Sequence, residues 1–367
     1  MAFNLPYSTI GGSMVVDFTA STQSIIQGAT ISFTDISSPT PTNWSWQITG
    51  IGATTSQNAT FLFSIPGTFS VSLLAGNSTS GGVKLKTNYI SVSTSYLLDT
   101  YTSARAAYGV HKLRTAYTGD AFVIRRSNDN ATQSITYLAT GEVDEASITS
   151  FVGANSAYIQ TWFDQSVNAF HISQSTTSRQ PRIVNAGTID KINGKVAPYF
   201  DGTQTLNRAA GDISIKDLRF ANFIFQRPTS VLNGDFGAVI ATEYNDSNGF
   251  WLGYLNGSSK RWQFWVKASN NGTSTYDMVV NQQSIVSINL EVGTNLSKRW
   301  IDTQLDVTVT YGDLSGTSTS AFSVGGQGAT NEYRFNGYIQ DVVIWDVNFN
   351  DTQRQAIETK QKTYFNF

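Results

Sequence analysis

Apolar and polar residues alternate in short runs along most of the chain. Three such runs lie at residues 69–73, 286–292 and 305–311. A period of two places successive side chains on opposite faces, so each run predicts a strand with one buried face. In a fourth run, 339–345, both sets of positions are largely apolar, which predicts a strand covered on both faces. These runs indicate stacked antiparallel sheets.

Two segments depart from the alternation and predict helices. In residues 103–117, Ala104, Ala107 and Tyr108 stand at near-helical spacing, so we expect a helix in the first half of that segment. The segment 350–364 begins with Asn350 and Asp351, which are favourable N-cap residues. The predicted fold class is therefore all-β with short helices.

The distribution of charge divides the chain near residue 95. Residues 1–95 contain four charged side chains, Asp17, Asp35, Lys84 and Lys86, whereas the whole chain has 24 basic and 26 acidic residues. The change follows a strand-like run and a short polar segment, which is typical of a domain boundary. We predict an N-terminal anchoring segment at 1–13, a small domain at 14–95 and a larger domain at 96–367.

Composition excludes several classes of function. The chain has no Cys and 2 His, which excludes disulfides, cysteine-ligated metals and thiol nucleophiles. A net charge of −2 provides no basic excess for nucleic acid. No apolar stretch is long enough to span a membrane, and no Lys or Arg precedes an apolar segment at the N-terminus. We therefore expect no membrane insertion, no signal peptide and synthesis in a bacterial cytoplasm.

Four motifs follow one another in the smaller predicted domain: Phe33-Thr34-Asp35, Trp44-Ser45-Trp46, Pro66-Gly67-Thr68-Phe69-Ser70-Val71 and Asn88-Tyr89-Ile90-Ser91-Val92. Their order and spacing resemble those of a PKD domain, an immunoglobulin-like sandwich common in cell-surface and phage proteins. The acidic turn that usually follows the second Trp of that family is replaced here by Gln47-Ile48-Thr49-Gly50. Any role of that turn therefore does not carry over.

A second set of motifs runs through the larger domain: Leu97-Leu98-Asp99-Thr100-Tyr101, Arg125-Arg126-Ser127-Asn128-Asp129-Asn130 and Trp162-Phe163-Asp164-Gln165. They resemble a module shared by phage surface proteins and the catalytic domain of α-L-arabinofuranosidase B-type enzymes. Tyr199-Phe200-Asp201-Gly202 and the segment 335–345 resemble the concanavalin A-like, laminin G-type jelly roll. The resemblance implies that 96–367 is a jelly-roll sandwich, a fold that hosts lectins, hydrolases and inert structural modules.

Aromatic residues between positions 244 and 276 provide the candidate carbohydrate-binding surface. In the segment 262–266, Trp262 and Phe264 point to one side of a strand and Trp265 to the other, so at least one Trp faces away from the main core. Aromatic rings stack on sugar faces, but the same rings can fill a sandwich core or a subunit interface. The candidate residues are Tyr244, Trp251, Tyr254, Trp262, Trp265 and Tyr276.

Carboxylates supply an alternative, enzymatic interpretation. Glycoside hydrolysis needs two carboxylates beside the scissile bond. The larger domain offers Asp164, Asp201, Glu243, Glu291 and Glu332, and no pair among them is singled out by sequence. Asp164 either caps a turn or belongs to a calcium or sugar site. Because no dense Asp-x-Asp cluster is present, calcium is the weaker alternative and no cofactor is expected.

The leading functional expectation is a non-enzymatic bacteriophage surface protein, either a capsid decoration or head-fibre protein or a tail-associated adhesin. Its jelly roll would bind host-surface glycans weakly, and many copies or a homo-oligomer would raise the affinity. Residues 1–13 and the PKD-like domain would contact other virion subunits. The alternatives are a glycoside hydrolase that acts on surface polysaccharide, and a purely structural spacer.

Overall fold

The computed structural model describes residues 14–227, 236–242, 248–255, 261–266, 269–277, 279–291, 294, 296–311, 316–327 and 333–367. The chain forms two compact units, Met1–Ser95 and Tyr96–Phe367. Strands predominate in both units, which confirms the predicted all-β fold class. None of the helices in the described ranges is long and apolar enough to cross a membrane.

The described part of the first unit is a two-layered β-sandwich. One sheet has the strand order β1-β3-β6 and the other has the order β2-β8-β7-β4-β5. Only β2 and β8 pair in parallel; the other pairs are antiparallel. The strands are β1 (Phe18–Ala20), β2 (Ser24–Ile26), β3 (Thr30–Asp35), β4 (Asn43–Ile48), β5 (Gly52–Thr54), β6 (Ala59–Leu62), β7 (Gly67–Gly76) and β8 (Gly81–Ser93).

An aromatic core joins the two sheets of the first unit. Trp46 of β4 is fully buried, and its ring lies 5.1 Å from that of Phe18 and 5.8 Å from that of Phe33. The Trp44 indole nitrogen donates a hydrogen bond of 2.8 Å to Asp35 on the opposite sheet. A β-sandwich is thus established for this unit, and its narrower assignment to the PKD family stays a prediction.

The second unit contains 21 described strands, three α-helices and two short 3₁₀ turns. The first strands are β9 (Ala104–Gly109), β10 (Phe122–Arg126), β11 (Thr132–Ile135), β12 (Ala157–Trp162), β13 (Ile172–Ser173), β14 (Arg182–Asn185), β15 (Thr188–Ile189), β16 (Lys191–Ile192), β17 (Lys195–Val196), β18 (Tyr199–Asp201) and β19 (Leu206–Arg208). The remaining strands are β20 (Phe220–Gln226), β21 (Phe236–Ala241), β22 (Phe250–Leu255), β23 (Arg261–Val266), β24 (Ser269–Asp277), β25 (Gln283–Glu291), β26 (Leu296–Ile301), β27 (Gln304–Thr310), β28 (Phe322–Val324) and β29 (Asn336–Trp345). The helices are α1 (Leu97–Thr100), α2 (Glu145–Val152) and α3 (Asp351–Phe365), and the 3₁₀ turns are Thr177–Arg179 and Ile215–Asp217.

These strands form two layers. The front sheet has the order β13-β19-β28-β21-β22-β23-β24, and the back sheet has the order β14-β18-β29-β20-β25-β26-β27. Strand β12 pairs with β13 and with β14, so it connects the two sheets at one edge. The main core lies between the layers, where Phe225 of the back sheet packs edge-on against Trp262 of the front sheet, with ring centroids 5.0 Å apart.

The predicted C-terminal helix is confirmed. The Asn350 side chain accepts a hydrogen bond from the backbone N–H of Gln353, and the Gln353 side chain accepts one from the backbone N–H of Asn350. This reciprocal arrangement is a capping box that satisfies two backbone donors at the start of α3. The prediction for 339–345 is also confirmed, because every residue of that segment is buried.

The helix predicted in 103–117 is wrong. Strand β9, Ala104–Gly109, occupies its first half and pairs with β29. Ala106 and Tyr108 face the main core, whereas Ala104 and Ala107 contribute to a second cluster with Trp345. A strand covered on both faces loses its alternation, and its apolar spacing then imitates that of a helix.

Candidate functional site

A continuous row of side chains crosses the front sheet on the face that turns away from the main core. Its members pair in register from strand to strand, which places them side by side about 4.8 Å apart. Their sequence neighbours, including Trp162, Leu206 and Leu252, belong to the main core. We call this the outer row; it consists of Thr161, Ser173, Asn207, Ser323, Ala241, Trp251 and Trp265.

The outer row changes from polar and accessible to aromatic and buried. Ser173 is exposed and Asn207 is half-buried, whereas Ser323 has no exposed surface. Trp251 is 2% exposed and packs edge-on against Tyr333, with ring centroids 6.3 Å apart. Aromatic rings beside a few polar side chains are among the groups that line small-molecule sites.

Two oxygen atoms of this row, and one in the segment that follows strand β28, have no hydrogen-bond partner within the described part of the chain. They are Oδ1 of Asn207, Oγ of Ser323 and Oε1 of Gln327, and all three are buried. Buried polar atoms are nearly always paired, because an unpaired one costs about 1–3 kcal/mol. Each of these atoms can accept a hydrogen bond from a buried water or from a ligand hydroxyl group.

The six aromatic residues singled out in the sequence do not form one surface. Tyr254 and Trp262 are buried in the main core, on the opposite face of the front sheet from Trp265. Trp251 lies in the outer row, but Tyr333 and small residues pack around it, so its ring offers no open stacking surface. The side chains of Tyr244 and Tyr276 lie outside the described residues.

Trp265 is the member of that set which keeps partial exposure on the outer face. It stands opposite Trp251 on the neighbouring strand, and its indole nitrogen donates a hydrogen bond of 2.8 Å to the side chain of Gln263. Burial of Tyr254 and Trp262 corrects the prediction for those two residues. Both are large rings on the apolar side of a strand with alternating residues, so they point into the core and pack there.

Asn207 and Ser323 were not found from the sequence. They are far apart in the chain, and only the pairing of β19 with β28 makes them neighbours. A weak signal was present, since Ser323 is a small polar residue between Phe322 and Val324, which both reach the main core. Such a pattern indicates a strand whose Ser side chain points away from the core. It does not indicate which strand pairs with it in the sheet.

Asp164 has a structural role in the described fold. Its carboxylate accepts hydrogen bonds from the backbone N–H groups of Ala107, Ser166 and Phe170 at 2.7–2.8 Å, and from the Ser166 hydroxyl at 2.6 Å. These donors occupy the oxygen atoms that a cation would need. Among the described residues, no group of three or more His, Asp or Glu side chains could hold a metal ion.

A second polar cluster lies under the C-terminal helix. His111 Nε2 is 2.9 Å from the carboxylate of Asp341, and the ring of Tyr364 stacks on the His111 ring with centroids 3.7 Å apart. The Tyr364 hydroxyl donates a hydrogen bond of 2.6 Å to Glu142, which also pairs with Lys195 at 2.8 Å. Asp341 is completely buried beneath this cluster, so no substrate can reach it and the cluster holds α3 against the sheet.

Burial and charge act in opposite directions on the two carboxylates of this cluster. Burial raises the pKa of Asp341, and the contribution of His111 only partly opposes this effect. Burial also opposes ionisation of Glu142, but hydrogen bonds from Lys195 and Tyr364 outweigh it and lower the pKa of that carboxyl. The two shifts follow from the packing of α3.

Comparison with known proteins gives a match to one family model, that of the catalytic domain of α-L-arabinofuranosidase B, over residues 98–198. Two solved structures each have a TM-score of 0.54 with this chain at 12% identity: a GH54 α-L-arabinofuranosidase variant soaked with 4-nitrophenyl α-L-arabinofuranoside, and an arabinofuranosidase complexed with arabinofuranosyl-α-1,2-xylobiose. A GH54 α-L-arabinofuranosidase soaked with a cyclic sulfate inhibitor has a TM-score of 0.51 at the same identity. No curated protein matches the sequence.

In each of these three comparisons the alignment covers 72% of this chain and 63% of the other chain, which is less than two thirds of the enzyme. At 12% identity the likeness establishes a shared β-sandwich fold. The resemblance to arabinofuranosidase B catalytic domains is supported by the family match. The expectation of a non-enzymatic bacteriophage surface protein is wrong, because the matched family and the similar structures are glycoside hydrolases, the alternative interpretation of the sequence.

Proposed function

We propose that the chain is a glycoside hydrolase that releases arabinofuranosyl groups from a carbohydrate. The observation that carries this proposal is the match of residues 98–198 to the arabinofuranosidase B catalytic-domain model. The solved arabinofuranosidases support it through their shared fold. The matched segment includes Thr161 and Ser173, which begin the outer row, so the family likeness and the candidate site overlap.

The outer row supplies the substrate surface in this proposal. Its members carry no charge, so it suits a neutral sugar. The exposed Ser173 and the half-buried Asn207 give the row an accessible polar end where sugar hydroxyl groups can bind. Trp265, at the other end of the row, offers the partly exposed face of an indole ring to an apolar sugar face. An arabinofuranosyl group provides both partners: hydroxyl groups that donate hydrogen bonds, and an apolar face of the sugar ring that can stack on an indole.

Hydrolysis breaks the bond between the anomeric carbon and the glycosidic oxygen and adds the elements of water. One carboxylic acid protonates the leaving oxygen, and one carboxylate attacks the anomeric carbon or activates water. The buried carboxylates are already committed to structural partners. Those carboxylates and partners are Asp164 with the backbone of Ala107, Asp217 with that of Ser214, Asp306 with Arg299, Asp341 with His111 and Glu358 with Arg354.

The remaining sequence candidates divide by their surroundings. Glu291 forms an ion pair of 2.8 Å with Lys298, and this hydrogen bond lowers its pKa. Asp201 accepts hydrogen bonds from the backbone and hydroxyl of Thr203 and so caps a turn. Glu243 and Glu332 lie outside the described residues; in the sequence Glu243 stands two positions after Ala241 and Glu332 stands one position before Tyr333. We assign the acid and the nucleophile or base to these two glutamates as the hypothesis to test.

The test is release of 4-nitrophenol from 4-nitrophenyl α-L-arabinofuranoside and of arabinose from arabinoxylan by the full chain. We expect turnover of both, and a loss of roughly 10²-fold or more in kcat for Glu243→Gln and for Glu332→Gln, the usual contribution of an acid or base. Glu291→Gln is the matched control, because it removes a carboxylate that the half-buried Lys298 already neutralises. Absence of turnover by the unmodified chain would overturn the proposed function.

A further inference from the structure

A second row of side chains crosses the outer face of the back sheet. It runs through seven strands that pair in register, from β10 through β12, β14, β18, β29 and β20 to β25. Sequence neighbours such as Ile159, Phe200 and Ile339 point into the main core, so this row faces outward. We call it the back row; it consists of Arg125, Tyr158, Arg182, Tyr199, Tyr338, Gln226 and Gln283.

The middle of the back row is an accessible aromatic surface. Tyr199 and Tyr338 are both partly exposed, and their ring centroids lie 4.9 Å apart at an interplanar angle of 45°. Neither phenol hydroxyl hydrogen bonds to another described residue, so both are available to a ligand. Burial raises the pKa of each phenol, so both hydroxyls stay protonated and can donate.

The two arginines of the back row are held by contacts within the protein. Arg182 lies over the Tyr199 ring at 4.6 Å and forms two hydrogen bonds with Asp190, at 2.8 and 3.0 Å. Arg125 is 7% exposed, and its donors bind Gln180 and Asn130 at 2.7 and 2.8 Å. An anionic polymer needs cations that are free to bind it, and these two are committed. The surface therefore fits a neutral ligand.

We propose that Tyr199 and Tyr338 form a second carbohydrate-binding surface, which holds the neutral backbone of the polysaccharide whose side groups the enzyme removes. The choice of polysaccharide rests on the proposed function. Aromatic rings with free hydroxyls combine stacking with hydrogen bonding. Because the surface lies on a different sheet from the outer row, it can retain the polymer while the outer row engages a side group. Retention on one surface raises the effective substrate concentration at the other.

The experiment compares polymer binding with small-substrate turnover in the full chain. Retardation in gels that contain neutral arabinoxylan gives the affinity for the polymer, and 4-nitrophenyl α-L-arabinofuranoside reports the catalytic site. We expect Tyr338→Ala and Tyr199→Ala each to weaken polymer binding about tenfold, the size of a lost aromatic contact. Turnover of the small substrate should not change. Tyr338→Phe is the matched control, since it keeps the ring and should retain most of the affinity.

Thermal unfolding establishes that each variant is folded; if an alanine variant is not, Tyr338→Leu preserves apolar volume and replaces it. Unchanged retardation of the folded ring-deleted variants overturns the second surface, as does stronger binding to a carboxylated polymer than to neutral arabinoxylan. Polymer binding that depends on Tyr338 in a chain that hydrolyses neither substrate refutes the proposed function and leaves the binding surface standing. The two proposals therefore fail in different measurements.

Discussion

Asn207 and Ser323 are paired residues on adjacent strands of the front sheet, and each carries a side-chain oxygen that is buried without a hydrogen-bond partner in the described structure. One unpaired buried oxygen can be tolerated in a stable fold, but two that are neighbours on one sheet face indicate a shared purpose. The same face continues to Trp251 and Trp265. Both oxygens can accept a hydrogen bond from a buried water or from a ligand hydroxyl group, and the exposed Ser173 and half-buried Asn207 make the polar end of this face accessible.

Removal of the Ser323 hydroxyl tests whether this buried group contributes to the stability of the fold. Because this hydroxyl has no partner, Ser323→Ala should leave the free energy of unfolding unchanged or raise it by about 1 kcal/mol. Ser287 is the matched control: it is equally buried in a strand, but its hydroxyl accepts a hydrogen bond of 2.8 Å from Asn222. Ser287→Ala should lower the free energy of unfolding by about 1–2 kcal/mol.

Urea unfolding measures both values, and KM for the arabinofuranoside reports binding. We expect Asn207→Ala, which removes the unpaired oxygen of the half-buried neighbour, to raise KM about tenfold, the value of one hydrogen bond to the sugar. A destabilisation of Ser323→Ala equal to that of Ser287→Ala would show that Ser323 has a structural partner, and the ligand interpretation of the outer row would then fail.

The two faces of strand β23 predict opposite results for its two tryptophans. Trp262 is fully buried in the main core, so Trp262→Ala should destabilise the protein by about 3–5 kcal/mol. Trp265 is partly exposed on the outer face, and Trp265→Ala should cost about 1 kcal/mol while raising KM several-fold. Thermal unfolding together with steady-state kinetics checks both. Equal destabilisation by the two changes would be inconsistent with the separation of faces.

The alternation of residues predicted strands in the runs 69–73, 286–292 and 305–311, because a period of two depends only on local geometry. The expected single buried face is present in 69–73 but wrong for the other two runs: 286–290 is buried on both faces, and Leu305 is exposed whereas Asp306 is buried. The alternation also predicted that Trp262 and Trp265 lie on opposite sides, and they do. It did not predict the order of strands in a sheet. Asn207 meets Ser323 only through a long-range pairing, and register between distant strands is not encoded in the local pattern.

The erroneous helix in 103–117 has a related cause. Strand β9 is buried on both faces, so Ala106 meets the main core while Ala107 meets Trp345 and its neighbours. Alanine favours helices in isolation, but a place beside β29 gives this segment a full set of backbone hydrogen bonds and two buried faces. Tertiary context therefore outweighed the local helix preference of this segment. Only the knowledge that the segment pairs with β29 would have shown that it forms a strand.

The carboxylate of Asp164 should contribute strongly to the stability of the protein without binding a metal ion. Asp164→Asn replaces one acceptor oxygen with a donor amide that faces backbone N–H groups, so it should destabilise the protein by about 3 kcal/mol. Addition of calcium or of EDTA should not shift the unfolding midpoint of the unmodified chain. A calcium-dependent increase in that midpoint, lost in Asp164→Asn, would instead restore the cation-site interpretation.

Glu142 should make stability depend on pH in the acidic range. Its pKa is lowered from 4.5 in the folded protein, so the unfolded state binds a proton more readily. The stabilisation is therefore fully present above pH 4.5 and is lost as the pH falls through the lowered value of the folded state. The midpoint of thermal unfolding should fall less steeply between about pH 5 and pH 3 in Glu142→Gln than in the unmodified chain.

The control for this measurement is Glu145→Gln, which removes an exposed carboxylate paired with Lys191 and lies outside the cluster under α3. Because exposed ion pairs contribute little, its pH profile should follow that of the unmodified chain. If the profiles of Glu142→Gln and the unmodified chain coincide, Glu142 is not held in its ionised form by Lys195 and Tyr364.

The His111–Asp341 pair predicts a non-additive response to mutation. His111→Leu removes the hydrogen bond between His111 and the completely buried carboxyl group of Asp341, which should destabilise the protein by about 1–3 kcal/mol. The double variant His111→Leu/Asp341→Leu removes both polar groups and should regain most of that loss, because no buried polar group is left without its partner. Since Tyr364 stacks on His111 and α3 covers the pair, proteolysis near the C-terminus should accelerate in the single variant and return towards normal in the double variant. Additive losses in the two single changes would mean that the pair is not coupled and that α3 is held by its apolar contacts alone.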